Sequence, residues 1–182
     1  HGIIICNSDA FDAKNLKLAK YDSNPLEDDS LSGYKVFPVP ITSLTVSALQ
    51  DCGLKPKEVT RSKNFFALGL MYWLFNEPLE PTLEWVKKKF NKKSEVICGN
   101  EKALKSGYYY GENTQLFASR YQIAKAALPK GTYKSISGNE ATAIGFIAAS
   151  KLSGLPLFLG SYPITPATDI LHHLNHSLRN KP

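Results

Sequence analysis

The chain has 182 residues, of which 43% are hydrophobic and 21% are charged, and its formal net charge is +6. These values are ordinary for a soluble globular protein that can bury a core. No apolar run approaches the roughly 20 residues of a membrane helix, and no signal peptide precedes the first strand, so we expect a cytoplasmic protein without a membrane partner.

The first third of the chain predicts two strands and a helix. Residues 2–6 are apolar and indicate a buried strand, whereas residues 12–33 are polar and indicate a loop or irregular structure. A second strand is predicted over residues 34–39. A helix should follow from about residue 41 to residue 52, where Gly53 ends it.

The middle of the chain is predicted to be mainly helical. Residues 62–75 are apolar on nearly every face, which indicates a central helix or one shared with another subunit. The next helix, over about residues 81–91, carries a lysine-rich stretch at residues 87–93. Apolar residues interrupt these lysines, so we interpret them as a solvated face and expect no nucleic-acid partner. Residues 95–99 predict a short extended piece, and Asn100 can cap a helix that ends at Gly107.

A second piece is predicted to follow a connection. Residues 114–128 can form one helix, which the prolines and glycines of residues 129–131 would break, and we place a linker helix and turn at residues 114–135. Residues 136–182 then indicate helix, strand, tight loop and helix. Ser137 or Asn139 can cap the first of these helices, and residues 155–159 can form the strand. The predicted fold class is therefore α/β.

The loop between that strand and the last helix is Tyr162-Pro163-Ile164-Thr165-Pro166. Its prolines make it stiff, because each fixes its own φ and restricts the residue before it. We predict Thr165 as an N-cap and Pro166 as the first helical residue. A hydroxyl and free backbone N–H groups would then meet at a helix start, where α/β folds bind anionic ligands. A plain N-cap is the alternative for Thr165.

These motifs resemble a known family. GNEATAIG followed by GSYPITPATDIL is similar to the opening of the alpha, or pyrimidine-binding, domain of the 2-oxoacid:acceptor oxidoreductases. Those are thiamine-diphosphate and iron–sulfur enzymes that oxidise pyruvate or 2-oxoglutarate. GIIICNSD, YKVFPVPIT, SKNFFALGLMYWLF and ICGNEKALKSGYYY resemble the C-terminal half of the gamma subunit of that family.

The resemblance implies the architecture in more detail. Residues 1–113 would be the C-terminal part of a gamma-type α/β domain, and residues 136–182 the first α-β-α unit of a thiamine-diphosphate pyrimidine-binding domain. The glycine-rich loop that opens the family's gamma domain would precede His1, and the glutamate that activates its aminopyrimidine would follow Pro182. We therefore expect the chain to be a fragment of a longer, fused subunit.

The resemblance also implies a function. The parent would be a cytoplasmic 2-oxoacid:ferredoxin oxidoreductase that decarboxylates a 2-oxoacid on thiamine diphosphate, passes electrons to ferredoxin and transfers the acyl group to coenzyme A. GSYPITPATDIL favours 2-oxoglutarate over pyruvate. Thiamine diphosphate with Mg²⁺ is expected mainly on a beta subunit and the iron–sulfur clusters on a partner subunit, with no cofactor in this fragment alone. The alternatives are a non-catalytic subunit-docking segment and a small-ligand-binding domain unrelated to redox chemistry.

The same resemblance assigns site residues. Thr165 would be catalytic, in contact with the substrate or the thiazolium ring, and Tyr162, Pro163 and Ile164 would pack near the cofactor ring. Glu140 is a candidate general acid or base, with a plain first-turn acid stabilised by the helix dipole as the alternative.

The cysteines and histidines were the candidates for metal ligands. Cys6, Cys52 and Cys98 are scattered without a Cys-x-x-Cys pair, which argues against disulfides and against a cluster or zinc site, and indicates small buried residues. His172 and His176 share a helix face and could bind a metal. No cysteine lies near them in the sequence, so we expect an ordinary, partly exposed helix face and no metal.

Overall fold

The computed structural model of the chain describes residues 2–179, with side chains to residue 177. The chain is α/β, mostly helical, and divides into two compact units, His1–Lys125 and Ala126–Pro182. No helix in the described part is long and apolar enough to cross a membrane. The strands and helices in chain order are β1 (Ile3–Asn7), α1 (Ala13–Leu18), β2 (Lys35–Val39), α2 (Ile41–Ala48), α3 (Pro56–Leu74), α4 (Glu80–Lys89), α5 (Ser94–Thr114), α6 (Gly138–Ser153) and α7 (Thr168–Arg179).

The first unit contains a two-stranded parallel sheet. In it β1 pairs with β2 from Ile3 opposite Lys35 to Asn7 opposite Val39. Both strands were predicted, because each is a short apolar run between polar segments. The connection between them holds α1, which the polarity of residues 12–33 did not predict. A local cap explains this short helix, since the Asp12 side chain accepts a hydrogen bond from the Asn15 N–H at 2.7 Å.

Side chains at the end of β1 and just after it cap the start of α2. The Thr42 N–H donates to Asn7 Oδ1 at 3.3 Å and the Ser43 N–H donates to Asp9 Oδ2 at 2.8 Å. The Ser43 hydroxyl adds a bond to Asp9 Oδ1 at 2.9 Å. Pro40, the residue at the N-cap position, has no side-chain acceptor, so the cap of this helix comes from the end of the neighbouring strand.

The core of the first unit forms where α3 and α5 cross. Gly69 and Gly107 lie in the contact, and a Cβ atom on either would sit 1.9 Å from a backbone oxygen, that of Leu104 or of Phe66 respectively. The two backbones therefore touch through glycine, which allows the flanking side chains to interlock. The buried apolar side chains of this core are Val39, Ile41, Leu49, Cys52, Phe66, Leu70, Trp73, Leu74, Ala103 and Phe117.

The prediction that residues 95–99 are extended and that Asn100 caps a helix was wrong. Helix α5 runs without a break from Ser94 to Thr114. Asn100 lies inside it, 4% exposed, and its Oδ1 accepts a hydrogen bond from the Ser62 hydroxyl of α3 at 2.9 Å. Gly99 is also buried in this contact. Packing against α3 therefore explains two residues that by themselves are typical of a helix boundary.

The prediction of a helix over residues 114–128 was also wrong. Gln115 has a φ of +46° and ends α5, and no helix or strand forms between it and α6. Phe117 stacks on Trp73 with ring centroids 5.9 Å apart. The Arg120 Nε–H donates to the Trp73 carbonyl at 2.8 Å. These contacts hold residues 117–121 against the end of α3 in an irregular conformation, which overrides their helical propensity.

The second unit contains α6, α7 and the irregular segment between them. Residues 155–159 form no strand, contrary to the prediction. The described part of this unit offers no strand for them to pair with. Leu155 is 67% exposed and Phe158 is 91% exposed. Only Ala143 and Leu174 are buried apolar residues in the described part of the second unit, so its core is small.

Candidate functional site

The proline-flanked turn at residues 162–166 lies between α6 and α7, on the surface of the second unit. The Ile164 N–H donates to the Tyr162 carbonyl at 2.8 Å, which closes the turn on itself. The Tyr162 side chain is 79% exposed, that of Ile164 is 57% exposed, and Pro163, Thr165 and Pro166 are exposed as well. The turn therefore presents its side chains outward.

The start of α6 anchors this turn. The Asn139 side chain donates from Nδ2 to the Pro166 carbonyl at 3.0 Å, across 27 positions of the sequence. The Ser137 hydroxyl accepts from the Glu140 N–H at 3.1 Å and is the N-cap of α6, as predicted. The motif GNEATAIG at the start of α6 is therefore in contact with the turn of the motif GSYPITPATDIL. The sequence offered Asn139 only as a second candidate for the cap, so its role as an anchor was missed.

The helix start that was predicted at Thr165 lies further along the chain. Helix α7 begins at Thr168, whose N–H donates to the Ile164 carbonyl at 3.1 Å. The Asp169 N–H donates to the Pro166 carbonyl and the Ile170 N–H donates to the Ala167 carbonyl, each at 3.1 Å. The first three amides of α7 are therefore bonded within the chain, and the prediction that Thr165 caps this helix was wrong, because Thr165 lies three residues before its start.

The Thr165 hydroxyl itself is available to a ligand. Thr165 is exposed, and within the described part of the chain its hydroxyl has no hydrogen-bond partner. Thr168, three positions later, instead donates its hydroxyl hydrogen to the Ile164 carbonyl at 3.2 Å. A threonine hydroxyl can donate one hydrogen bond and accept two, so Thr165 could bind a carboxylate or carbonyl oxygen.

Glu140 is held as a carboxylate. Lys134 Nζ lies 2.7 Å from Glu140 Oε1, and this hydrogen bond is the main reason that the pKa of the Glu140 carboxyl is lowered. Partial burial opposes the shift, while the charges of Lys134, His173 and His176 support it. A carboxyl group with a lowered pKa is a poor general acid near neutral pH, which leaves a charged first-turn residue as the simpler interpretation.

One histidine of α7, His172, lies beside an apolar hollow. His172 lines this hollow, which has a volume of about 470 Å³, together with leucines of the segment before α7 and of α7 itself. No group of three or more histidine, cysteine, aspartate or glutamate side chains within residues 2–177 is placed to hold a metal ion.

Comparison with known proteins places this chain in a family. Residues 1–110 match the family model for pyruvate ferredoxin/flavodoxin oxidoreductase. The chain belongs to this family. The resemblance found in the sequence motifs is thereby confirmed.

One curated relative extends the match into the second unit. The chain is 47% identical over 174 residues to the 2-oxoglutarate oxidoreductase subunit KorA of Mycobacterium tuberculosis (strain ATCC 25618 / H37Rv). The aligned part is 96% of this chain but only 27% of that relative, so the chain spans about a quarter of the relative's length. No solved structure matches the chain.

Proposed function

We propose that this chain is part of a subunit of a thiamine-diphosphate-dependent 2-oxoacid:ferredoxin oxidoreductase, and that its 2-oxoacid is 2-oxoglutarate rather than pyruvate. The observation that carries the proposal is the 47% identity to a 2-oxoglutarate oxidoreductase subunit over 96% of the chain. The alignment covers 174 of the 182 residues of the chain, so the aligned part includes the turn at residues 162–166. The parent enzyme would convert the 2-oxoacid into an acyl-coenzyme A and pass electrons to ferredoxin in the cytoplasm.

The domain assignment is part of the same proposal. Residues 1–113 would be the C-terminal part of a gamma domain, which the family match over residues 1–110 supports. Residues 136–182 would begin an alpha domain. The small core of the second unit is consistent with this, since α6, α7 and the irregular segment between them lack the strands that would cover their apolar residues. Residues 114–135 would connect the two.

The proposed role of Thr165 is to bind the substrate. A 2-oxoacid carries a carboxylate beside its reactive carbonyl, and a hydroxyl donor to a carboxylate forms a charge-assisted hydrogen bond. The exposed Thr165 hydroxyl, on a turn stiffened by two prolines and anchored by Asn139, meets the requirement for a fixed donor. The exposed ring of Tyr162 and the neighbouring Pro163 and Ile164 would pack beside the cofactor ring.

The chain's own residues fit one edge of a thiamine diphosphate site but not the whole of it. The turn offers a hydroxyl and apolar surface, whereas the described residues include no acidic cluster for the Mg²⁺ of the diphosphate. A beta subunit would hold the diphosphate and metal, and a partner subunit the iron–sulfur clusters. When bound, thiamine diphosphate supplies the carbanion chemistry of decarboxylation. The contribution of this chain would be to orient the substrate carboxylate and to exclude water.

A second candidate function is a non-catalytic docking segment, favoured by the apolar surface of the second unit. Leu152 and Phe158 are about nine-tenths exposed, and Tyr162 nearly four-fifths. Such side chains are typical of a surface that is covered in an assembly. In this case the turn would contribute contact area alone.

A viologen-reduction assay distinguishes the two functions. The full-length subunit is combined with its beta subunit, thiamine diphosphate, Mg²⁺, coenzyme A and either 2-oxoglutarate or pyruvate. Thr165→Val removes the hydroxyl but keeps the shape, and Thr165→Ser is the matched control that keeps the hydroxyl. A hydrogen bond to a charged group contributes about 1.5–3 kcal/mol, so we expect kcat/KM to fall roughly 10- to 150-fold in the valine variant and little in the serine variant.

Two results would count against the proposal. Equal activity of the valine variant and the unaltered enzyme would show that the Thr165 hydroxyl does not bind the substrate. An assembled complex that reduces the dye with neither 2-oxoacid would favour the docking segment instead.

A further inference from the structure

Two cysteines that lie far apart in the sequence meet in the first unit. Cys52 ends the 3₁₀ turn Gln50–Cys52 that follows α2, and Cys98 lies in the first half of α5. Their Sγ atoms are 2.7 Å apart, across 46 positions of the sequence. The scattered spacing of the cysteines argued against a disulfide, but spacing alone does not show which residues the helix packing brings together.

The positions of the two sulfur atoms suit the formation of a bond between them. A disulfide bond is about 2.05 Å long, so the sulfurs need to approach by roughly 0.65 Å. Cys52 is 5% exposed, whereas Cys98 is only half-buried and can be reached from solvent. Cys6, the third cysteine, is also half-buried and lies in β1.

We propose that Cys52 and Cys98 are a redox-active pair that a hydroperoxide converts into a reversible intrachain disulfide. The thiolate of Cys98 attacks the peroxide, the O–O bond breaks, and Cys98 becomes a sulfenic acid while the peroxide leaves as an alcohol or water. The thiol of Cys52 then attacks the sulfenic sulfur: the S–S bond forms, the S–O bond of Cys98 breaks, and the Cys52 proton leaves with the hydroxyl group as water. In total, two thiols lose two electrons and two protons, and one peroxide is reduced.

The surroundings of Cys52 determine which of the two cysteines reacts first with the peroxide. Burial, followed by the hydrogen bond with Cys98, raises the pKa of the Cys52 thiol to about 11. The negative charge of Asp51 contributes to this increase, and the positive charge of Lys102 opposes it. A buried thiol that stays protonated is a poor first target for an oxidant, so Cys98 reacts first and Cys52 resolves the product.

The disulfide would join two elements that now only pack together. It would link the turn after α2 to α5, and α5 forms the main contact of the first unit with α3. A disulfide between residues 46 positions apart would close a long loop and restrict the unfolded chain. The oxidised protein should therefore resist denaturation better than the reduced protein. This inference does not depend on the proposed function.

The test compares the reduced protein with the same protein treated with hydrogen peroxide. We expect a mass lower by two hydrogen atoms, a tryptic peptide in which Cys52 is linked to Cys98, and a higher urea midpoint, all reversed by dithiothreitol. Cys6→Ser is the matched control and should behave like the unaltered protein. Cys98→Ser should form no intrachain link and should show no rise in the urea midpoint.

Several outcomes would overturn the proposal. These are irreversible sulfinic or sulfonic acid at Cys98 without a linked peptide, a disulfide that involves Cys6, or thiols that remain unmodified by peroxide. Because Cys52→Ser could disturb the core, the peptide map of the unaltered protein and the Cys98→Ser variant decide the question without it.

Discussion

The glycine contact between α3 and α5 gives the sharpest test of the core. In Gly107→Ala, the new Cβ atom would lie 1.9 Å from the Phe66 carbonyl oxygen, whereas ordinary contact begins at 3.4 Å. The two helices must therefore move apart by roughly 1.5 Å. A gap of about 1 Å already loses up to about half of the dispersion energy between the facing atoms.

The expected cost follows from these numbers. Overpacking of a core costs typically about 1–3 kcal/mol and occasionally more, and the atom that is struck here is rigid backbone. Alanine recovers about 1 kcal/mol of helix propensity over glycine. Because that backbone atom cannot move aside, the overpacking cost lies at the upper end of its range, and we expect a net loss of about 2 kcal/mol in the free energy of unfolding of the first unit. With a urea m-value of about 1–3 kcal/mol per molar, the midpoint should fall by about 0.7–2 M.

Urea unfolding followed by tryptophan fluorescence measures this loss, because Trp73 is 6% exposed and lies in the same core. Gly33→Ala is the matched control, since a Cβ atom there meets nothing within 4 Å. Gly69→Ala should behave like Gly107→Ala. The double variant should lose less than the sum of the two, because the first substitution has already separated the helices. Equal midpoints for Gly107→Ala and Gly33→Ala would refute the reasoning.

Three further predictions concern single polar groups. Ser62→Ala should cost about 1–3 kcal/mol in urea unfolding, because it leaves the buried Asn100 Oδ1 without its donor; a loss below about 0.5 kcal/mol would contradict this. Lys134→Ala should raise the pKa of the Glu140 carboxyl in an NMR titration. In the unaltered protein this pair stabilises the fold above the pKa that Glu140 has in the unfolded chain, and the stabilisation is lost as the pH falls through the lower pKa of the folded state. An unchanged titration would exclude that pairing. Burial raises the pKa of Cys52 from 9.0 to about 11, so stability should fall by up to about 2–3 kcal/mol as pH rises from 9 to 11. Cys52→Ala should flatten this slope, and equal slopes would show that another group causes it.

Local signals predicted much of the first unit. The strands β1 and β2 are short apolar runs. Helix α2 starts where predicted but ends at Ala48, and it is the 3₁₀ turn after it, Gln50–Cys52, that ends at Gly53, whose φ is +66°. Helix α3 was predicted as a central helix because it is apolar on nearly every face, and it lies in the core as expected. These elements need no information beyond their own residues and immediate neighbours.

The errors fall where distant residues decide the structure. The Gly99-Asn100 pair is typical of a helix boundary, yet contact with Ser62 and the rest of α3 keeps it helical. Residues 114–128 have a helical composition, yet Phe117 and Arg120 attach the chain to Trp73 instead. Neither hydrophobic periodicity nor helix propensity identifies these contacts between distant residues from a single sequence.

The candidate site shows the same division. The motif identified the turn at residues 162–166 and its prolines, which are local features. The sequence did not show that Asn139 would bind the Pro166 carbonyl, or that the turn would satisfy the first amides of α7. The exposed Thr165 hydroxyl consequently lies three residues before the start of α7 and not at its N-cap, and its assignment to a substrate carboxylate stays a prediction.

The cap that β1 provides for α2 has a consequence for ligand binding in the first unit. A helix start beside the carboxyl end of a parallel strand is the usual place for a phosphate or carboxylate in α/β proteins. Here the carboxylate of Asp9 already binds there, as a competitor that is tethered to the chain and therefore present at a high effective concentration. A free anion would have to displace it, so this helix start offers no open position for an anion.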